Sequence, residues 1–277
     1  MLNLLKDDKH DKHEFLYTAE DFKKVRLTLN KLTGINLADS KDAMVYSRLV
    51  RRVRALNLSS IAAYLDYVAA NVSEEQNFIN ALTTNLTSFF REAHHFDVLK
   101  DYLSNTPGVK RIWCAASSTG EEPYSIAISV AEALGKFDQN IEIIASDIDS
   151  SVLEKAKLGI YHESRVQSLS LSMKKRFFHK GTGSNAGFVR VVPELRKMVT
   201  FKQINLLDGK WPVELPVNVI FCRNVMIYFN RETQEALLTR MVSLLPKNGL
   251  YIAGHSENFS YFSHIVSPVG KTTYRPA

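Results

Sequence analysis

The sequence predicts an α/β fold in which an all-helical segment precedes a mostly parallel sheet that ends in an antiparallel hairpin. Residues 15–88 carry apolar residues at helical spacing and no strand pattern. From Arg111 onward, short apolar runs alternate with helical segments, which is the pattern of a parallel sheet with crossover helices. The last stretch, 263–276, has two strand-like runs around Gly270 and therefore predicts a hairpin.

Length and composition set the broad class of protein. The chain has 277 residues, of which 45% are hydrophobic, enough for one large or two modest domains with proper cores. Its apolar runs are far shorter than the roughly 20 residues that a membrane-spanning helix needs. The stretch 1–14 mixes lysines with aspartates, so we expect a disordered tail and neither a signal peptide nor an anchor. Cys114 and Cys222 fall in predicted buried strands, which favours reduced thiols and a cytoplasmic protein.

Net charge indicates an acidic partner without naming its kind. The formal charge is +6 and the pI is near 9.1, so nucleic acid, an anionic membrane surface and an acidic protein all remain open. The basic residues concentrate on a predicted helix over 41–56, whose apolar stripe is flanked by Lys41, Arg48, Arg51, Arg52 and Arg54. Either this is an ordinary solvated helix face or it is a docking surface for an acidic partner.

The helical part has recognisable ends. Thr18 and Asp21 form a capping box, and apolar residues then recur at helical spacing until Gly34. The stretch 83–96 is dense in hydrogen-bonding side chains, which are followed by Phe89, Phe90 and an arginine, and this composition is unusual for a mere linker. The alternative to a functional role is a helix cap with the two phenylalanines in a domain interface. The adjacent His94 and His95 would point apart on a helix, so we predict no metal site.

The stretch 113–125 is the centre of the predicted sheet. A strand ends in small residues, Gly120 turns the chain, and a helix begins with Pro123 in its first turn. Small residues allow a ligand to approach the backbone, and the carboxylates of Glu121 and Glu122 can accept hydrogen bonds. In an open α/β sheet, the carboxyl end of the first strand is where nucleotide-like ligands bind.

The alternation then continues to the C-terminus. We predict strands over 141–148, 198–206, 217–223 and 250–254, a helix over 151–158 opened by a Ser151–Glu154 capping box, and a helix over 231–245 capped by Asn230. Residues 160–196 interrupt this order with a short helix near 173–178, a glycine-rich loop over 181–187 and a strand over 188–192. This interruption predicts a small inserted β-subdomain.

The residues of the turn around Gly120 restrict the class of ligand that can bind there. The chain has neither the G-x-G-x-x-G fingerprint nor a G-x-x-x-x-G-K-[ST] phosphate loop, and Glu121 and Glu122 would repel phosphate. Asp147, at the end of the second strand, stands where an acid can bind ribose hydroxyls; alternatively it caps the strand end. S-adenosylmethionine (SAM) is a phosphate-free nucleoside with a sulfonium cation, so it fits such a pocket.

Five segments, in this order, resemble the bacterial chemoreceptor methyltransferases, and the resemblance extends from about residue 20 to 275. The segments are 81–96, 116–128, 145–149, 221–229 and 254–259. The resemblance implies a small helical N-terminal domain, expected over 15–88, and a Rossmann-type methyltransferase domain over 89–277 with the inserted β-subdomain. It also implies an enzyme that transfers a methyl group from SAM to glutamate side chains of chemotaxis receptors, with S-adenosylhomocysteine as product.

The same resemblance assigns site residues. It places the cofactor contacts at Asn85, Thr87, Arg91, Glu122, Asp147, Asn205, Leu206, Arg223 and Asn224. Methylation of an ionised carboxylate needs no general base, so we predict that Arg91 and Tyr228 hold the substrate carboxylate as hydrogen-bond donors. The alternative for 223–228 is a strand end with a buried tyrosine hydroxyl. The absence of a Pro-Pro element there argues against a methyltransferase acting on amino groups of nucleic acids.

The same resemblance implies which partners the protein binds. Receptor methylation regions are acidic helices in this family, so Arg48, Arg51, Arg52 and Arg54 are the predicted docking residues. The inserted β-subdomain is similar to the part by which some members bind a receptor's C-terminal peptide as an added strand. We expect a monomer without nucleic-acid binding or membrane insertion. A non-catalytic receptor-binding or SAM-sensing module of the same fold is the alternative function, and release of methyl esters as methanol distinguishes the two.

Overall fold

The computed structural model describes residues 14–109, 111–137 and 140–277. The tail predicted over 1–14 therefore lies outside the described residues except for Glu14. Contacts divide the chain into two compact units: one contains the described residues up to Leu32 together with Leu37–Leu82, and the other contains Thr33–Asn36 with Thr83–Ala277. Among the described residues, none of the helices combines the length and the apolar character that a membrane crossing requires.

The first unit is helical, as predicted. Its helices are α1 (Ala19–Thr33, whose last residue belongs to the second unit), α2 (Asp42–Ala55), α3 (Ile61–Ala70) and α4 (Val72–Leu82). The predicted capping box opens α1: the Thr18 amide donates to Asp21 Oδ2 at 2.9 Å, and the Asp21 amide donates to Thr18 Oγ1 at 3.2 Å. Apolar side chains from all four helices form its core, among them Leu29, Leu49, Tyr64 and Phe78.

The second unit alternates helices and strands. Its helices are α5 (His94–Asn105), α6 (Glu121–Ala133), α7 (Ser150–Leu158), α8 (Leu171–Phe177), α9 (Pro193–Lys197) and α10 (Arg231–Val242). Its strands are β1 (Arg111–Cys114), β2 (Glu142–Asp147), β3 (Ile160–His162), β4 (Phe178–Lys180), β5 (Phe188–Val191), β6 (Val199–Gln203), β7 (Val219–Cys222), β8 (Leu250–Ala253), β9 (Val266–Gly270) and β10 (Thr273–Pro276). The Asn230 side chain caps α10 by accepting from the Thr233 amide at 2.9 Å, as predicted.

The main sheet confirms the predicted fold class. It has seven strands in the order β6-β2-β1-β7-β8-β10-β9. The pairs from β6 to β8 are parallel, and β10 pairs antiparallel with both β8 and β9. The chain builds outward from β1 through β2 to β6 and then returns to β7 on the other side of β1. The carboxyl end of β1 is therefore the topological switch point at which α/β sheets bind ligands.

Two hydrophobic layers sandwich this sheet. Ile112 and Cys114 of β1 belong to one buried cluster, whereas Trp113 belongs to the cluster on the opposite face. This alternation is the period-2 pattern of a strand buried on both faces, as parallel sheets require. The sheet is therefore fixed from both sides, and its carboxyl edge holds the turn after β1 in place.

The inserted segment forms a separate three-stranded antiparallel sheet in the order β3-β5-β4. The sequence predicted the strand that became β5 but not β3 or β4, since three-residue strands leave no measurable alternation. Tyr161 of β3 is bonded to the turn after β1, because its hydroxyl donates to the Thr119 carbonyl at 2.9 Å. The inserted sheet therefore contacts the predicted ligand-binding turn directly.

Two details of the sequence analysis are corrected. The division between the units falls after Leu82 and not after residue 88, because Thr83 Oγ1 and Asn85 Nδ2 each donate to Asp149 Oδ2 at 2.7 Å. The helix α7 is capped by Asp149 and not by a Ser151–Glu154 box: Asp149 Oδ1 accepts from the Ser151 amide at 2.9 Å. A carboxylate already at the N-cap leaves no place for the predicted box.

Candidate active site

The turn after β1 adopts a backbone conformation that few other residues would permit at these positions. Gly120 has φ +98°, and a Cβ built there would lie 2.7 Å from the Tyr161 hydroxyl and 2.8 Å from the Ala156 Cβ. Ser118 adopts φ +48°, an uncommon conformation for a residue with a side chain. Strained residues of this kind persist where the surroundings fix them, and they cluster at functional sites.

Asp147 provides that fixation from the end of β2. Its Oδ2 accepts from the Ser118 amide at 2.8 Å, and its Oδ1 accepts from the Asp149 amide at 3.0 Å. Burial raises the pKa of this carboxyl to about 6, although the backbone hydrogen bonds oppose the shift. The strand-end capping role considered as the alternative is therefore present. Each carboxylate oxygen has a further lone pair for a ribose hydroxyl.

A small cleft opens beside Asp147 at the carboxyl edge of the sheet. Asn205 and Leu206 line it together with Asp147, so the structure brings three of the predicted cofactor residues together. The rest of the lining is mostly apolar: Thr33, Ile35, Ala115, Ala116, Ile148, Ile204, Val225 and Phe229. Apolar walls with a single acid suit a nucleoside, whose flat base is apolar on its faces and whose ribose donates hydrogen bonds.

A buried charge cluster lies at the ends of β1 and β7. The Arg223 guanidinium donates to Glu122 Oε2 at 2.6 Å and lies 3.2 Å from Glu92 Oε2. Its Nη2 also donates to the Arg91 carbonyl at 2.5 Å. The Cys114 thiol donates to Glu122 Oε1 at 3.3 Å, and burial, together with Glu122, raises its pKa well above the usual value. The cysteine is thus a neutral thiol, and Arg223 neutralises the surrounding carboxylates.

Three further predicted contacts, Asn85, Thr87 and Arg91, lie on the segment before α5. The Asn85 carbonyl accepts from Ser118 Oγ at 3.1 Å, so this segment is bonded to the turn after β1. The Thr87 carbonyl accepts from Arg165 Nη2 at 2.7 Å. Arg91 keeps 39% of its side chain exposed, and its Nη1 donates to the Leu86 carbonyl at 3.0 Å. The segment therefore borders the same turn as the cleft and presents a partly exposed guanidinium.

The predicted tyrosine follows Arg223 in the chain. Tyr228 ends a short 3-10 turn, Met226–Tyr228, and its side chain is partly exposed. Its carbonyl accepts from the Asn36 amide at 2.8 Å. Arg223 thus binds the backbone of Arg91, and Tyr228 follows it on the next turn of the chain. The roles of Arg91 and Tyr228 in substrate binding stay predictions.

Comparisons with known proteins identify the family. The model described as "CheR methyltransferase, all-alpha domain" matches residues 20–83, and "CheR methyltransferase, SAM binding domain" matches residues 85–275. The chain belongs to the CheR methyltransferase family. It is 55% identical to chemotaxis protein methyltransferase 2 of Pseudomonas aeruginosa over 95% of both chains. It is 51% identical to the chemotaxis protein methyltransferase of Salmonella typhimurium, over 91% of this chain and 88% of that one.

One solved methyltransferase structure is a distant match to this chain. A putative rRNA methylase from Clostridium thermocellum matches with a TM-score of 0.38 and 12% identity, over 69% of this chain and 94% of that one. Function is therefore inferred from the family match. This CheR methyltransferase uses SAM as its cofactor, and the acid and the apolar walls of the cleft beside Asp147 suit the ribose and the base of that molecule. Across the described residues, no group of three or more potential ligands is arranged to hold a metal ion.

Three residues of this CheR methyltransferase act in the site although the sequence analysis gave them no role there. Asp149 joins the segment before α5 to α7, as described above. Arg165 of the inserted segment forms an ion pair with the buried Glu121, its Nε lying 3.0 Å from Oε1. Glu257 accepts four backbone amides. Asp149 and Glu257 lie in two of the segments that carry the family resemblance, but carboxylates and guanidiniums that bind backbone groups leave no spacing pattern that would indicate their roles.

The four predicted docking arginines have different environments. Arg51 is exposed and forms no ion pair within the described part of the chain. Arg48 Nη1 donates to the Leu82 carbonyl at 3.1 Å. Arg54 is exposed and paired with Glu14 through Nε at 3.0 Å. Arg52 is the exception, because its guanidinium binds both oxygens of the buried Glu74 at 2.8 Å. It stabilises the first unit and has little freedom to bind a partner.

This difference predicts opposite results for two neighbouring charge reversals. Arg52→Glu should lower the free energy of unfolding by on the order of 3 kcal/mol, since it leaves Glu74 buried beside a second carboxylate. Arg51→Glu should leave the unfolding temperature within about 2 °C, because substitutions at exposed sites change stability little. It should weaken receptor methylation through substrate binding, and more at low salt. Thermal unfolding and methylation at two salt concentrations measure both effects. Equal loss with an uncharged peptide substrate would contradict docking through Arg51.

Proposed function

We propose that this chain transfers the methyl group of SAM to glutamate side-chain carboxylates of chemotaxis receptors, forming glutamyl methyl esters and S-adenosylhomocysteine. The observation that carries the proposal is the cleft beside Asp147 at the carboxyl edge of the sheet, lined by three of the expected cofactor residues, together with the Arg223 cluster that binds the Arg91 carbonyl. The relatives named above are chemotaxis protein methyltransferases over nearly the whole chain. Their names support a receptor substrate.

The chemistry requires little from the protein beyond position. A glutamate carboxylate has an ordinary pKa of about 4.3, so it is ionised near neutral pH and needs no general base. One of its oxygens forms a bond to the methyl carbon as the sulfur–methyl bond breaks, and the sulfonium becomes a neutral thioether. Orienting the two reactants can lower the barrier by roughly 7–11 kcal/mol. The negative charge of the carboxylate and the positive charge of the sulfonium both disappear, so exclusion of water favours the reaction.

Arg91 and Tyr228 fit an orienting role. A guanidinium and a phenol each donate to a carboxylate, but a donor that bound the carboxylate too strongly would stabilise the ground state more than the transition state, where its charge is fading. Both side chains are partly exposed, so solvent moderates their interaction with the substrate. They therefore orient the nucleophile and do not activate it.

Substitution of these two residues should slow the chemical step. At saturating substrate, we expect Tyr228→Phe and Arg91→Ala each to lower the single-turnover rate by about 10- to 100-fold, since hydrogen bonds to charged groups contribute about 1.5–3 kcal/mol. Arg91→Lys is the matched control that keeps the charge and should retain part of the rate. Rapid-quench measurement of labelled receptor gives these rates. Unchanged rates in both Tyr228→Phe and Arg91→Ala would contradict the assigned role.

The reaction class is tested by the lability of the label. The protein is mixed with receptor-containing membranes and methyl-labelled SAM, and the receptor is then treated with mild alkali. Glutamyl esters release the label as methanol. Alkali-stable label would instead indicate methylation at nitrogen and overturn the proposal. Binding of SAM without any transfer would favour the alternative, a SAM-sensing module.

The proposal extends to partners and location. SAM and the cytoplasmic helices of the receptors meet in the cytoplasm, so we place the protein there, acting as a monomer without nucleic-acid binding or membrane insertion. The β4 strand is an edge of the inserted sheet and borders a cavity whose lining includes Lys174, Lys175 and Lys180. An extended acidic segment, such as a receptor C-terminal peptide, can add to that edge as a further strand.

A further inference from the structure

Glu257 is a buried carboxylate whose charge is met by backbone amides. Its Oε1 accepts from the amides of Val225 and Met226 at 2.9 and 2.8 Å. Its Oε2 accepts from the amides of Asn224 and Gly254 at 3.0 and 2.6 Å. The residue is 4% exposed, and no cation of the described residues forms an ion pair with it. Burial raises its pKa, and the four amide hydrogen bonds oppose that shift.

Three of these amides are consecutive and begin the segment that follows Arg223. Asn224 has φ +59°, a left-handed conformation that its neighbours must hold in place. The Val225 carbonyl in turn accepts from the Tyr228 amide at 3.1 Å. Glu257 thus holds Val225 in place, and Val225 is in turn hydrogen bonded to Tyr228, the last residue of the short turn.

Gly254 completes the arrangement from the other side. A Cβ at this position would lie 2.3 Å from Asn224 Nδ2 and 2.8 Å from the Asn224 amide nitrogen. The backbone at the end of β8 therefore packs directly against Asn224, and a larger residue would displace it. The position of the Asn224 side chain depends on both Gly254 and the carboxylate three residues later.

We propose that Glu257 is a positioning residue for methyl transfer, which holds the segment 224–228 so that Asn224 faces the cofactor and Tyr228 faces the substrate carboxylate. The part concerning Tyr228 rests on the proposed function. A carboxylate is needed because it accepts through both oxygens. In Glu257→Gln, one oxygen still accepts two amides, but the new NH2 group points at the other two donors. The variant is the same size, so its effect comes from lost and opposed hydrogen bonds.

The experiment compares Glu257→Gln, Tyr228→Phe and the double variant in single-turnover methylation of receptor membranes at saturating SAM. We expect Glu257→Gln to lower the rate at least tenfold, the equivalent of about 1.4 kcal/mol in barrier. If Glu257 acts through Tyr228, Tyr228→Phe should cost less than about twofold more in the Glu257→Gln background, because residues that act as a unit are not additive. Asp21→Asn, which weakens the cap of α1, is the stability control and should leave the rate unchanged. A rate of Glu257→Gln near that of the unmodified protein, or a double variant whose loss is the product of the single losses, would overturn the proposal.

A second readout does not depend on the substrate. Calorimetric titration with S-adenosylhomocysteine should show at least fivefold weaker binding in Glu257→Gln than in the unmodified protein and in Asp21→Asn, because Asn224 loses its fixed position. If the unmodified protein fails to methylate receptors, the proposed function fails while this titration still decides the role of Glu257. Equal affinity in Glu257→Gln and the unmodified protein would overturn it.

Discussion

Replacing Arg223 with methionine should abolish measurable methyl transfer and lower the free energy of unfolding by about 3–5 kcal/mol, the usual cost of removing one partner of a buried ion pair. The guanidinium is fully buried and contacts Glu122 and Glu92 as well as the Arg91 carbonyl. Methionine fills a similar volume but removes the guanidinium that pairs with the buried Glu122 and the partly buried Glu92. Urea denaturation measures the stability, and label transfer to receptor membranes measures the activity.

A second substitution separates the two effects. Adding Glu122→Gln to Arg223→Met removes one of the uncompensated carboxylates, so stability should recover by about 1–3 kcal/mol. Activity should not recover, because the Arg91 carbonyl still lacks its partner and the segment that carries Arg91 is no longer fixed. A stability loss below about 1 kcal/mol in Arg223→Met, or recovery of activity in the double variant, would show that the cluster does not support the site.

Affinity for S-adenosylhomocysteine should fall about tenfold between pH 8 and pH 5, and the cause should be Asp147. Burial raises the pKa of this carboxyl to about 6, whereas ribose hydroxyls donate to the ionised form. Binding therefore favours the deprotonated carboxyl and releases a proton, so affinity is lost as pH falls through about 6. The raised pKa makes folding stability depend on pH in the opposite direction. In the absence of ligand, this carboxyl contributes to the stability of the fold below about pH 4, and that contribution is lost as the pH rises through 6. Calorimetry across this range measures affinity and proton release together.

The Asp147→Asn variant provides the control for this titration. It should bind S-adenosylhomocysteine on the order of tenfold more weakly at pH 8, because a hydrogen bond to a charged acceptor becomes one to a neutral group. Its affinity should then be nearly constant from pH 5 to 8. His95, whose pKa is lowered by burial to about 4, stays neutral over this range. If the affinity of the unmodified protein did not change with pH, the prediction that Asp147 binds the ribose would be wrong.

The sequence predicted the order of the main-sheet strands and of the helices between them, and it predicted that Asp147 lies at the edge of the sheet where the cleft is found. Small residues before Gly120, the acids after it and the aspartate ending β2 are local signals, because the carboxyl ends of parallel strands meet at one edge. Local sequence patterns could not predict contacts between residues that are far apart in the chain. Arg223 and Glu122 are 101 positions apart, and nothing in either segment indicates that they pair.

The helix α2 shows the same limit. Arg51 and Arg52 are indistinguishable by composition, yet their surroundings differ entirely, because Glu74 on α4 reaches one and not the other. Helical periodicity predicts which face of α2 is apolar, but it does not tell which polar side chain at the margin of that face meets a buried acid. Glu257 was equally hidden, since its partners are backbone amides that every sequence possesses.

The most direct test is a crystal structure of the protein with S-adenosylhomocysteine. We predict that the ribose hydroxyls lie within hydrogen-bond distance of the Asp147 carboxylate, with the base in the cleft lined by Asn205 and Leu206 and the sulfur facing Arg91 and Tyr228. A ribose bound away from Asp147, or a sulfur facing away from both Arg91 and Tyr228, would contradict the account.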